Sequence, residues 1–113
     1  MKKRIKKLLV VALRSDKYKQ TIQRLRRGDR FCCLGVLCNL HAQAHPELAA
    51  METDPEEYLS NGVGLPIEVM KWAGLTNTLG DKVSINGLFA ELSLHNDNGC
   101  TFLEIADAIE EQL

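Results

Sequence analysis

The stretch Phe31 to Leu40, FCCLGVLCNL, is apolar at almost every position. Such a run needs burial on several sides, so the rest of the chain has to be built around it. Its length, and its continuation through His41, Ala42, Gln43 and Ala44, favour a helix over a strand. Pro46 disfavours helical geometry at His45 and ends the helix there. With 113 residues there is material for one modest core and not two, which makes 1–113 a single domain around this helix.

The flanking segments supply the covering elements. Ile5, Leu8, Leu9, Ala12 and Leu13 share one helical face over residues 3–14. Lys17 to Arg30 is polar and reads as a loop or short irregular hairpin closed by Gly28-Asp29. Residues 47–64 are acidic and rich in turn formers, the signature of a surface loop. Leu65 to Leu75 predicts a short helix, with Pro66 in its first turn and Gly74 as its cap. Val83 and Ile85 ahead of Asn86-Gly87 suggest a brief strand and turn, and Leu88, Phe89 and Leu92 a further helix broken at Asn96-Asp97-Asn98-Gly99. Thr101 and Glu104 form a capping box for a last helix that buries Phe102, Ile105, Ala106, Ile109 and Leu113. The expected fold is mainly α, about five helices with room for one short β-hairpin; an α+β arrangement is the alternative.

Charge is divided unevenly. Residues 1–30 hold twelve of the fourteen Lys and Arg and two acids, a net +10, whereas residues 31–113 carry −11. The basic segment either contacts a polyanion or lies across the acidic half of its own fold. The same asymmetry would allow a head-to-tail homo-oligomer. The apolar part of residues 1–13 is too short for a signal-peptide core and is stopped by Arg14 and Asp16, so no membrane segment and a cytoplasmic location are expected.

Three groups of residues could carry chemistry. Cys32 and Cys33, at a helix start behind Arg26, Arg27 and Arg30, are placed where a thiol pKa is lowered; His95, oriented by Asn96 or Asp97, could serve them as a base in a cysteine-dependent hydrolase. The competing reading is that these cysteines are small core hydrophobes. Cys38 and His41 lie three apart on one helical face, with Cys33, Cys100, His45 and His95 as further donors for zinc, but no C-x2-C knuckle is present, and neither metal nor cofactor is expected. The favoured site is the basic patch of Lys17, Tyr18, Lys19, Arg24, Arg26, Arg27 and Arg30, suited to phosphates or a stacked base.

Four blocks of the chain, ALRSDKYKQ (12–20), RLRRGDRFCCLGVLCNL (24–40), LPIEVMKWAGL (65–75) and HNDNGCTFLEIADAIEEQL (95–113), resemble a family of small proteins encoded by tailed bacteriophages and prophages. The resemblance carries no catalytic residues. It implies an accessory binding protein of counter-defence type, which inhibits a host protein or sequesters an anionic partner. A nucleotide, nucleic acid or an acidic host protein would each fit that description.

Overall fold

The apolar run is the central helix of a computed structural model that describes residues 1–50 and 54–113. The described residues form six helices and five short strands, a mixed α+β domain. Helix α1 (Lys3–Arg14) precedes three two-residue strands, β1 (Lys19–Gln20), β2 (Arg26–Arg27) and β3 (Arg30–Phe31). Helices α2 (Cys33–Ala44), α3 (Pro46–Ala49) and α4 (Ile67–Ala73) follow, then the hairpin β4 (Lys82–Ile85) and β5 (Leu88–Glu91), and finally α5 (Leu92–Asp97) and α6 (Phe102–Gln112). Among the described residues no helix is long and apolar enough to cross a membrane.

Helix α2 buries Cys33, Leu34, Gly35, Val36, Leu37, Cys38 and His41, nearly every side around its axis. It achieves this by touching α1, α3, α4, α5 and β3 together. Gly35 is demanded by one of these approaches: a Cβ at that position would stand 1.8 Å from the carbonyl oxygen of Leu25, a backbone atom that cannot move aside. The largest helix contact is α1 on α6, where Ile5, Leu9, Ala12 and Leu13 meet the face of Phe102, Ile105, Ala106 and Ile109. The capping box of α6 forms as expected, with Thr101 accepting from the Glu104 backbone N–H and the Glu104 side chain accepting from that of Thr101.

Four expectations need correction. Phe31 belongs to β3, not to the central helix, which begins at Cys33. Leu88 and Phe89 lie in β5 rather than a helix, paired with β4 through Ile85↔Leu88 and Ser84↔Phe89; the helix starts at Leu92 and continues to Asp97. The segment 17–30 is more ordered than a loop, because β3 pairs in parallel with β1 and antiparallel with β2. A parallel pairing between β1 and β3 requires a crossover and leaves no local sequence signal. The hairpin expected at Gly28-Asp29 joins β2 to β3, with Gly28 at φ +60 in the first turn position, where L-residues other than glycine are strained. Part of the expected acidic loop is the short helix α3, and residues 51–53 of it lie outside the described residues.

One side chain ties these elements together. Asn96, fully buried on α5, accepts at Oδ1 from the Cys33 backbone N–H and from Gln20 Nε2, both at 3.0 Å, and donates from Nδ2 to the Thr21 carbonyl at 2.7 Å. Gln20 in turn donates to the Cys100 carbonyl at 2.7 Å and accepts from the Phe102 N–H at 3.1 Å. The network therefore satisfies the first amide of α2 and the first amide of α6, two groups that helix geometry leaves without an internal partner. Replacing Asn96 with Leu keeps the branched shape but strands the Cys33 N–H and the Thr21 carbonyl. The expected loss is about 3 kcal/mol or more in urea denaturation, on the scale of two unsatisfied buried groups. A loss below about 1 kcal/mol would show that water replaces the amide.

Candidate functional site

The strand register sorts the basic segment into two faces. Lys19, Arg30 and Arg27 are direct cross-strand partners in the order β1, β3, β2, so they stand in one row on one face. All three are exposed. Gln20, Phe31 and Arg26 form the matching row on the other face, which turns toward the body of the protein. Like charges directly opposite one another repel across a sheet, and here two such pairs are adjacent. Asp29, in the turn, relieves one end through an ion pair of 3.3 Å to Lys19, whose ammonium holds the Asp29 carboxyl below the ordinary carboxylate range.

Not every predicted member joins that row. Lys17 is exposed just before β1, but Arg24 is half-buried, its guanidinium close to Gly62, with its Nε enclosed and without a hydrogen-bond partner among the described residues. Arg26 turns inward: its Nε–H donates to the Gly28 carbonyl at 2.6 Å and its guanidinium lies 5.0 Å from the centre of the Phe31 ring. Tyr18 is no free stacking platform. Its ring packs edge-on against Phe31 at 5.2 Å, and its hydroxyl accepts from Asn39 at 2.6 Å.

The charge asymmetry does not arise from pairing between the two halves. Among the described residues only Arg14 reaches acids of the C-terminal half, at 2.6 Å to both Asp107 and Glu110. The remaining contact of α1 with α6 is apolar, and apart from Lys19 with Asp29 the other cations of the segment have no carboxylate at ion-pair distance among the described residues.

At the cysteines, burial opposes the activated-thiol reading and agrees with the reading of Cys32, Cys33 and Cys38 as small core hydrophobes. Burial pushes Cys32 up to about 11, and it pushes Cys33 and Cys38 further in the same direction, overriding the helix-start position that favours a thiolate. Cys32 Sγ instead caps α2, accepting from the Gly35 N–H at 3.3 Å, and the Cys33 thiol donates to the Leu92 carbonyl at 3.6 Å. His95 is also committed elsewhere, since its buried Nε2–H donates to the Val83 carbonyl at 2.7 Å. Asp97 accepts from the Gln23 N–H at 2.7 Å and does not orient the imidazole. No nucleophile and base are joined here.

The other two histidines form an aromatic cluster. His41 is buried, hydrogen-bonded through Nδ1 to the Tyr58 hydroxyl at 2.7 Å, stacked on His45 with centroids 4.2 Å apart, and edge-on to Trp72 at 5.0 Å. His45 donates from Nδ1 to the His41 carbonyl. Among the described residues, no group of three or more His, Cys, Asp and Glu comes together in a way that could hold a metal ion.

A family model matches residues 1–113, the full length of the chain. The chain belongs to the family described as a domain of unknown function, DUF8296. No curated protein and no solved structure matches it. For this DUF8296 chain, the site therefore has to be read from its own chemistry. Among the described residues, the exposed cation row is the grouping of predicted site residues that the fold brings together with a single structural bond, the Lys19–Asp29 ion pair.

Two outcomes follow for this chemistry. With a thiol reagent near pH 8, Cys32, Cys33 and Cys38 should react only when the protein unfolds, while half-buried Cys100 reacts first; prompt modification of Cys32 in the native state would contradict the core assignment. The second concerns pH. Burial first, and the neighbouring His45 second, hold His41 below its ordinary value of 6.5, against the opposite pull of Glu68 and Glu47. The folded chain then binds fewer protons than the unfolded one, so stability is greatest above that value and falls as pH drops through it. Urea midpoints should decrease from about pH 7.5 to about 5, with a smaller slope in His41→Gln.

Proposed function

We propose that this protein is a phage accessory factor of counter-defence type that acts by binding an anionic partner, a nucleotide or a nucleic acid, on the row Lys19, Arg30 and Arg27. The observation that carries this reading is the register itself. Three exposed cations are held opposite one another on a two-residue-wide sheet with a single carboxylate beside them, an arrangement that weakens the sheet unless an anion sits on it. A phosphate group bridging neighbouring guanidinium groups would turn that repulsion into charge-assisted hydrogen bonding. The likeness of the four sequence blocks to phage proteins supports the accessory role, which needs a rigid small fold and a charged recognition face rather than a reaction centre. An acidic host protein could use the same row, and binding to isolated phosphate ligands is what separates it from the proposal.

The test is a double variant. Arg27→Ala with Arg30→Ala should lower affinity for inorganic triphosphate and for short single-stranded oligonucleotides by about tenfold or more, and should reduce the salt slope of oligonucleotide binding by about 1 to 2. Its melting temperature should be unchanged or raised, because the variant removes like-charge pairs. Calorimetric titration and thermal melts read both. Unchanged affinity for every anion would remove the row from consideration.

A further inference from the structure

The face of the sheet opposite the cation row borders a cavity of about 340 Å³. Its floor is α2, through Cys38, Asn39 and Ala42; Arg26 and Phe31 come from the sheet, and residues 54–58 form the facing wall. That wall is fastened at several points. Tyr58 is bonded to His41, Tyr58 and Asn61 exchange backbone hydrogen bonds of 2.8 and 3.0 Å, and the Leu25 N–H donates to the Gly62 carbonyl at 2.8 Å. The cavity is thus pre-formed, at the lower end of the ~300–1,000 Å³ range of small-molecule sites.

Its chemistry has two parts. Floor and sheet offer an apolar, aromatic surface, whereas the wall adds the acceptors Glu56 and Glu57 and the floor the Asn39 carboxamide. A flat ring that presents several N–H donors at its edge fits this combination, and one that presents mainly carbonyls does not. Arg26 stands where cavity and sheet meet. Its Nε is taken by Gly28, and its two terminal nitrogens have no protein partner among the described residues. Arg27, the next residue, points to the opposite face, and β2 is an edge strand, so no neighbouring strand blocks the way around it.

We propose that the cavity takes the base and sugar of a purine nucleoside di- or triphosphate, guanine above all, whose phosphates pass Arg26 and round the β2 edge onto Arg27 and Arg30. This rests on the cation row as an anion site and adds that the partner is a mononucleotide. A half-open pocket of this size admits one base, and a polynucleotide would need an extended groove. Guanine brings ring and exocyclic N–H donors to the carboxylates of the wall; uracil brings two carbonyls and one N–H, and leaves those acceptors unpaired.

The experiment is titration calorimetry of the full chain with GTP, UTP and inorganic triphosphate, in the wild type, in Ala42→Leu, which fills the cavity floor, and in Arg27→Ala with Arg30→Ala. GTP should bind about tenfold or more tightly than UTP or triphosphate. Ala42→Leu should remove that advantage and leave triphosphate binding unchanged, while the arginine pair should weaken all three. In wild-type amide NMR spectra, GTP but not triphosphate should shift Cys38, Asn39 and Ala42, which decides the matter even if the Leu variant does not fold. Equal binding of the three ligands, or GTP binding untouched in a folded Ala42→Leu, would overturn the cavity assignment and leave the cation row standing. GTP binding lost in Ala42→Leu but retained without the two arginines would instead overturn the row.

Discussion

The carboxamide of Asn96 is the constraint on which the remaining structure depends. It sits where the start of α2, the strand β1 and the end of α5 converge, and through Gln20 it extends to the start of α6. A buried amide there answers a problem created by the fold itself. Helices that begin inside a protein carry backbone N–H groups with no intrahelical acceptor, and burying them without partners costs about as much as the folded state can spare. Because Asn96 and Gln20 satisfy these groups from segments distant in sequence, the helix starts can lie in the interior, and β1 is drawn into place beside β3.

That placement decides what the basic segment presents. With β1 anchored through Gln20, the alternation of side chains across a strand puts Lys19 on the opposite face, and the pairing with β3 and β2 aligns it with Arg30 and Arg27. The inward row has the reverse character, for Arg26 lies over Phe31 and Phe31 against Tyr18. A shift of one residue in this small sheet would exchange the two rows and bury the charges. The polar network at Asn96 therefore fixes more than stability: it determines which cations face solvent.

The cysteines illustrate how residue type and residue role separate. Cys32 and Cys33 stand at a helix start behind a run of arginines, a position that lowers a thiol pKa when water and charge have access. Their side chains, however, are enclosed by α2, α5 and the sheet, and desolvation raises the pKa instead. Which of two opposing effects prevails depends on burial, a property of the assembled fold. The acidic half behaves similarly. Its carboxylates are plain in composition, but only Asp107 and Glu110 meet a cation of the basic segment among the described residues, since the α1 and α6 faces that touch are apolar.

Local patterns by themselves determined the helices that carry their own signals. The face of Ile5, Leu9 and Leu13, the unbroken run after Cys33 with its stop before Pro46, and the Thr101–Glu104 box each mark a helix through interactions within a few residues. The role of cysteine as core was legible too, as the competing reading of an apolar run. Tertiary structure alone decided the rest: the parallel pairing of β1 with β3, the strand at Leu88 and Phe89, the inward turn of Arg24, Arg26 and Tyr18, and the position of Asn96 at the centre. They depend on strand register and on packing in the assembled chain, and for Asn96 on partners as distant as Gln20, 76 residues away. Hydrophobic period and capping chemistry report only on neighbours, so a face that exists by virtue of strand register, and a cavity enclosed by segments from different parts of the chain, become visible only once the chain is folded.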